Sequence, residues 1–453
     1  MGSVEPPKSE FNIAIIGAGI GGLGLAIGLL KQNVPFTLYE AAGAYSAIGA
    51  GVGLGPNALR AMDMIDKRFK SLYDGISTGN LTPNKEHVMM DLMPLEEGLG
   101  GDDFVPIPVQ SPSYIRTSAH RRDLLDIMTS LIPLDTVKFN KRVKSYKQLE
   151  GRVAITFEDG ETVEASAVIG CDGAKGATRG AVLGEAYPDQ VAATYSGKYV
   201  YRSIVPMKEA IKILGKNAGD GKWFMGNGAN FTTFSISKGA QFNIVAFKID
   251  DKPWTHHQWT KMVDRETMLA DFAVGVDKRL VKLLDVSNHF LLQHCVFLAT
   301  YESPELMSYQ WAEPLQWSIH HHMNTPVYYN GLICLLGDSA HATTPHQASG
   351  AGQCLEDSLV LSIILGLVQD SSQIQAAFQA YDEIRRPRAQ EVVRTSQEAG
   401  LIYTYQDPVI GSDIHKVAEN LNKRFLWIWE HDLEADVNTG VSRFHELIAS
   451  GSI

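Results

Sequence analysis

The sequence predicts an α/β fold: a Rossmann-like domain interrupted by an inserted mixed β-sheet domain and followed by a C-terminal helical tail. Three observations predict it. A short apolar run at residues 12–16 ends in a glycine cluster that opens a helix. The stretch 190–300 is rich in β-branched and aromatic residues, as in YVYRSIVPM and FTTFSISKGAQFNIVAFKID. From about residue 374 the periodicity is helical. The 453 residues are enough for roughly two to three lobes.

At the N-terminus, NIAII reads as a strand, Gly22 to about Lys31 as a helix, and PFTLYE as a second strand closing at Glu40. Between the first strand and the helix stands Gly17-Ala18-Gly19-Ile20-Gly21-Gly22. In this pattern Gly17 permits a tight turn, Gly19 lets the backbone approach a pyrophosphate, and Gly22 lets helix and strand pack closely. The helix N-terminus then offers free N–H groups to phosphates. Glu40 stands where an acid accepts from ribose hydroxyls and disfavours a 2′-phosphate, so FAD or NAD is preferred over NADP at this loop. Residues 80–112, with Pro, Gly and acidic residues, read as an excursion over the surface. Residues 150–172 alternate as strands and end at VIGCDG. GLICLLG at 331–337 reads as a buried strand running into a glycine-rich loop and a long helix, and a proline break is expected at Pro387. The expected divisions are 10–189 and 301–390 for the two parts of the nucleotide-binding domain, 190–300 for the inserted sheet domain that takes the substrate, and 391–453 for the C-terminal helices.

Composition narrows the function classes. A net charge of −11 argues against a nucleic-acid surface, which needs a concentrated positive face. No apolar run approaches the ~20 residues of a membrane span, so no membrane anchor is expected. The opening MGSVEPPKSEFN lacks an apolar signal core and reads as a short flexible lead-in. Cys171, Cys295, Cys334 and Cys354 lie far apart without metal-ligand spacing, which fits buried thiols in a reducing, cytoplasmic compartment. His320, His321 and His322 project in different directions and have no carboxylate or cysteine partner at ligand spacing, so no metal is expected. They read as a strand end near a cavity, with His321 the one chosen for proton transfer.

Four further segments carry a family resemblance. Gly337-Asp338-Ser339-Ala340-His341, followed by Pro345, Gly350-Ala351-Gly352-Gln353, Glu356 and Asp357, resembles the GD motif of the single-component flavoprotein aromatic hydroxylases, the para-hydroxybenzoate and salicylate hydroxylase class. Val168 to Gly173 resembles that family's DG motif, with Arg179 at the place of its arginine. His120-Arg121-Arg122-Asp123-Leu124 resembles its HRxDL segment, whose arginine contacts FAD. Tyr381 to Arg388 resembles the helix after the GD motif. The resemblance spans about residues 10–395. It departs at Gly176, where the family has serine, and at Ala348 and Ser349, where glycine and alanine are common.

The resemblance implies FAD held by Gly17, Gly19, Gly22, Glu40, Arg121, Asp172, Asp338, Gly350, Ala351 and Gly352. It also implies NAD(P)H as reductant, NADPH favoured, and oxygen transfer to a phenolic ring through a flavin hydroperoxide. Within the family, Tyr201-Arg202-Ser203 and residues 231–247 look most like fungal enzymes that dearomatise polyketide phenols of the azaphilone, sorbicillinoid and tropolone pathways. That likeness implies a resorcinol aldehyde substrate, with a salicylate-type decarboxylative hydroxylase as the alternative. It makes Arg202 the holder of the phenolate, Tyr114 the hydroxyl reaching the substrate from a second side, and Phe234 and Pro345 pocket walls. An arginine inside an apolar strand calls for a specific anionic partner. The Trp427-Ile428-Trp429 cluster reads as tail packing, with a homodimer contact as the minor reading. Rival flavin classes fit less well: no W-x-W-x-I-P halogenase segment occurs, and an NAD-dependent dehydrogenase would leave 168–179 and 337–357 without a purpose.

Overall fold

The computed structural model describes residues 11–45, 51–101, 104–286 and 314–451; Cys295 lies outside them. The first strand, Ile13–Ile16, is fully buried and sits between Phe36–Tyr39 and Ala167–Gly170, parallel to both. Ile333–Leu335 adds in parallel beyond Ala167–Gly170, and short strands Val137–Lys138 and Tyr329–Asn330 complete a six-stranded sheet. Burial on both faces explains why these strands read as continuous apolar runs. Helix Ile20–Lys31 packs against helix Gly350–Leu365, where Gly24 and Gly28 let Ser358 and Ser362 approach closely. Two helix N-termini, separated by more than three hundred residues of chain, thus end beside one another over one sheet.

The second sheet has eight strands in the order Thr260–Met262, Leu315–His321, Thr194–Pro206, Gln241–Ile249, Ala229–Ile236, Lys222–Gly226, Val88–Pro94 and Ile107–Gln110. Every pairing is antiparallel except Lys222–Gly226 with Val88–Pro94. The expected surface excursion at 80–112 is therefore corrected: Val88–Pro94 is an almost wholly buried strand. Asp91 made the segment look like a loop. Its carboxylate is neutralised by Lys222, distant in sequence, at 2.8 Å and by Lys85, six residues earlier, at 2.6 Å.

The proline break is corrected as well. Helix Ile374–Tyr403 runs 30 residues straight through Pro387. An interior proline costs about 3 kcal/mol in helix propensity, but both flanks are pinned. Arg385 and Arg388 reach the neighbouring helix: Arg385 pairs with Glu356 at 2.8 Å and Asp357 at 3.0 Å, and Arg388 with Glu356 at 2.8 Å. The remaining tail forms helices Ile414–Arg424, Leu426–Trp429 and Leu433–Ser450. Trp429 is buried against Phe425 and Tyr114. No helix of the described residues is long and apolar enough to cross a membrane.

Candidate active site

A groove and a cavity meet where the two sheets face each other. The groove, about 580 Å³, runs along the glycine loop and is lined by Gly17, Gly19, Glu40, Arg121 and Asp172. The cavity, about 420 Å³, is lined by Gly19, Arg121, Arg202, Phe234, Asp338, Pro345, Gly350 and Ala351. Gly19, Arg121, Cys171 and Gly173 belong to both, so one continuous space runs from Glu40 to the start of helix Gly350–Leu365.

The glycine loop is shaped as its pattern requires. Gly17 has φ +100°, a conformation that disfavours a side chain, and a Cβ there would meet the Cys171 carbonyl at 2.6 Å. A Cβ on Gly22 would stand 1.9 Å from the Gly17 carbonyl oxygen, so Gly22 lines no cavity and instead permits the turn. At Gly19 a Cβ would meet nothing within 4 Å, because that backbone faces the open groove. Glu40 accepts from the Ala18 and Ala42 amides, both at 2.8 Å, and so clamps the loop from the end of the second strand.

Asp172 accepts from the Thr178 amide at 3.0 Å and hydroxyl at 2.9 Å, while its Oδ1 is buried without a partner. Burial pushes its carboxyl upward against those hydrogen bonds. A Cβ at position 176 would lie 2.0 Å from this carboxyl, so the glycine there makes room for Asp172 as placed. Arg179 is buried and donates to the carbonyls of Gln190 and Ser339, both at 2.9 Å, and to the Thr325 hydroxyl at 3.0 Å. It therefore ties the 168–179 segment to the 337–341 turn rather than facing the groove. Arg121 and Asp338 oppose one another across the space. Burial lowers the arginine pKa and raises that of the carboxyl, and each offsets the other's shift. Gly352 packs on Asn57, where a Cβ would meet Nδ2 at 3.1 Å.

The cavity's far wall is the eight-stranded sheet. Arg202, Val245, Thr232 and Trp223 are lateral neighbours across four strands, and all four face the cavity. Arg202 is accessible within it, with its guanidinium 5.7 Å from the Trp317 ring centre. No carboxylate among the described residues pairs with it. Burial by the surrounding walls, and the charge of Arg121, lower its pKa. Both effects favour an anionic partner.

Tyr114 lines a small annex off the cavity rather than the cavity itself; the annex and cavity share Gly53, Met89, Arg116, Ala348 and Ser349. The Tyr114 ring lies tilted on Trp429 at 4.5 Å. His321 is buried on strand Leu315–His321 and does not line the cavity. Burial, with His320 and Lys198 adding, holds its pKa down at about 4. His320 stacks on Trp259 at 4.0 Å, and His322 contacts the Ala174 carbonyl at 3.1 Å, so the three imidazoles diverge.

Two basic lining residues were not singled out from the sequence. His346 presents a buried imidazole with neither ring nitrogen partnered, packed on Phe247 at 5.0 Å. Burial, Lys198 and His321 hold it well below the ordinary histidine range, hence neutral. Its only sequence signal was its place beside Pro345. Arg116 was the other; its neighbours Ile115 and Thr117 give no pattern.

Comparisons with known proteins agree with this arrangement. An FAD binding domain model matches residues 303–396. An FAD-dependent monooxygenase of Gibberella moniliformis is 38% identical over 96% of this chain and 97% of its own length. A 6-methylsalicylate 1-monooxygenase of Aspergillus terreus is 34% identical over 98% and 95%. The solved structure of a salicylate hydroxylase substrate complex superposes with a TM-score of 0.79 at 28% identity, covering 96% of this chain and 98% of that one.

Proposed function

Since the chain belongs to the FAD-dependent aromatic monooxygenases of the salicylate hydroxylase type, we propose that it hydroxylates a phenol bound as its phenolate by Arg202, with NAD(P)H as reductant. The observation that carries this reading is an arginine without an acidic partner among the described residues, on the wall of a cavity that opens onto the glycine-rich helix start at Gly350. The residues present fit FAD. The Gly17–Gly22 turn and helix Ile20–Lys31 would take the pyrophosphate, Glu40 the ribose end, Arg121 and Asp338 the connecting chain, and the Gly350–Gly352 amides the ring system. When bound, FAD carries two electrons from NAD(P)H to oxygen, so that one oxygen atom enters the ring and the other leaves as water.

The chain's own contribution is position, charge and dryness. Arg202 favours the phenolate, which makes the ring electron-rich, and fixes the edge turned towards Gly350. Neutral His346 offers an unpartnered nitrogen to a phenol proton or to a second hydroxyl. Tyr114, in the annex, would meet a substituent that extends beyond the reacting ring. The product follows from what the attacked carbon bears. An alkyl group, as in a resorcinol aldehyde, leaves a dearomatised dienone; a carboxylate is lost to give a catechol. The first outcome is the one proposed, with the second as the alternative, a salicylate substrate being supported by similarity to the 6-methylsalicylate enzyme along nearly the whole chain.

Screening alkylated resorcinol aldehydes and salicylates for substrate-stimulated NADPH or NADH consumption, oxygen uptake and product mass tests the reading. A flavin-loaded enzyme whose oxygen uptake no phenol stimulates would refute it.

A further inference from the structure

Helix Ile374–Tyr403 contains a single glycine, Gly400, and its backbone does not call for one. Gly400 is buried in an ordinary helical conformation, without the positive φ that favours glycine. Glycine is a poor helix former, so its presence here has another cause. That cause is space. A Cβ at position 400 would stand 2.7 Å from Cε1, 2.8 Å from Nδ1 and 2.9 Å from Nε2 of His346. Three ring atoms at nearly equal distances put that methyl group on the face of the imidazole, not on its edge. Gly24 and Gly28 admit serine side chains of a neighbouring helix, whereas Gly400 admits the ring of a residue that lines the cavity.

The imidazole has little freedom to give way. The Tyr403 hydroxyl donates to the His346 carbonyl at 2.7 Å, and the Ser396 hydroxyl donates to the Thr344 carbonyl at 2.6 Å. Ser396, Gly400 and Tyr403 lie on one face of the helix, which therefore holds the main chain at Thr344 and at His346. The Tyr403 ring also meets the imidazole edge to face at 5.8 Å, and Phe247 packs on it at 5.0 Å. His346 lines the cavity and Gly400 does not, so the imidazole stands between the helix and the substrate space. A ring pushed off the helix moves into that space. The imidazole is only 3% exposed and neither nitrogen has a partner, so packing alone orients it and both nitrogens remain for what the cavity binds.

We propose that Gly400 is a positioning residue: its bare backbone seats the His346 imidazole, fixing where the two nitrogens stand and how large a ring substituent the cavity admits beside them. The inference rests on the phenol-hydroxylase reading and deepens it. Gly400 touches no substrate and acts only through His346, so its effect must vanish when the imidazole is removed.

The experiment compares flavin-loaded wild type, Gly400→Ala, His346→Ala and the double variant, with salicylate and its ring-methylated forms as probes. Calorimetric Kd, kcat/KM, flavin content and the thermal midpoint are measured on each. Gly400→Ala should keep its flavin and lower kcat/KM by about 10²-fold, the scale of a small misplacement near the reacting ring. Methylated phenols should lose at least about 10-fold more than salicylate, in binding and in turnover. With His346→Ala already present, the same change should alter kcat/KM by less than about 3-fold. The thermal midpoint should change in opposite directions: Gly400→Ala lowers it beside the imidazole and raises it without the imidazole, where only the better helix former is felt. Effects of equal size and sign in both backgrounds would overturn the proposal. So would an equal penalty on all the phenols, which lost stability alone would give. Should Gly400→Ala fail to fold, the double variant decides: recovered folding assigns the clash to His346, and continued failure assigns the glycine to helix packing and overturns the proposal. Turnover with an unchanged size preference removes this inference alone. An altered size preference in binding, with no phenol-stimulated oxygen uptake even in wild type, removes the hydroxylase reading and leaves the positioning role.

Discussion

Replacing Arg202 with glutamine removes the cavity's cation nearest the Val245 and Phe247 wall while keeping a polar side chain of moderate size. The guanidinium has no acidic partner among the described residues, so its loss strands none of their carboxylates, and the effect falls on the substrate. A charge-assisted hydrogen bond is worth about 1.5–3 kcal/mol, and the phenolate left in a cavity walled by Val245, Phe247 and Trp223 loses further stabilisation. Together these give a drop in kcat/KM of about 10²–10³-fold. The sign of the pH effect is fixed too. A neighbouring cation lowers a phenol pKa by about 1–3 units, so without Arg202 the rise of kcat/KM with pH should move upward by at least about one unit. The assay is kcat/KM for product formation across pH, with flavin content and the ratio of product to NAD(P)H consumed measured on the same preparations. Arg202→Lys keeps the charge but not the planar fork, and should recover the pH limb more than the rate. A glutamine variant within about 5-fold of wild type, with an unmoved pH limb, would refute phenolate anchoring.

Gly22→Ala puts a methyl group where only 1.9 Å separates it from the Gly17 oxygen, so the purified variant should lose most of its flavin; full flavin occupancy would refute the assigned turn. Arg385→Met leaves Asp357 and Glu356 short of a buried partner and should destabilise the fold by about 3–5 kcal/mol, read by chemical denaturation. Burial raises the Glu356 carboxyl, but Arg385 and Arg388 overcome it and hold it at about 2, so the stability it contributes is lost as pH falls from about 4.5 to 2, and losing either arginine should flatten that acid limb. His321 takes up a proton near pH 6.5 when unfolded but only at about 4 when folded. Between those values the unfolded chain binds more protons, so stability rises with pH and is lost on acidification, by about 2 kcal/mol at about pH 5 from this residue alone. His321→Gln should remove that share of the slope, and an unchanged slope would count against the buried neutral imidazole.

What was legible in the sequence follows from how each part recognises its ligand. The pyrophosphate end is built from backbone amides on one tight turn, so its residues must be contiguous, and Gly17, Gly19 and Gly22 appear as a spaced motif. The same holds for Gly337, Asp338 and the 350–352 turn. The substrate wall obeys no such rule. Arg116 and Phe234 meet across 118 positions through a stacking contact, and His346 faces Phe247 from a different domain segment. Asp91 hid a core strand because the buried lysine of the two that neutralise it comes from position 222. Pro387 hid the continuity of a helix because the ion pairs holding its flanks lie on another helix.

This division has a consequence for how the protein can be altered. The loop that would carry phosphate is braced from within its own domain, by Glu40 on the Ala18 amide and by the Cys171 carbonyl against Gly17. Arg202, Thr232, Val245 and Trp223 are held instead by register in the eight-stranded sheet, whose backbone pairing does not depend on which side chain faces the cavity. Substitutions along that row should therefore change which phenol is accepted while flavin content stays near wild type. Substitutions at Gly17 or Gly22 should do the reverse, removing flavin before any preference can be read. Coupled loss of both properties from single changes in the sheet row would mean that the two sheets share a stability unit, and that the substrate wall is not independently adjustable.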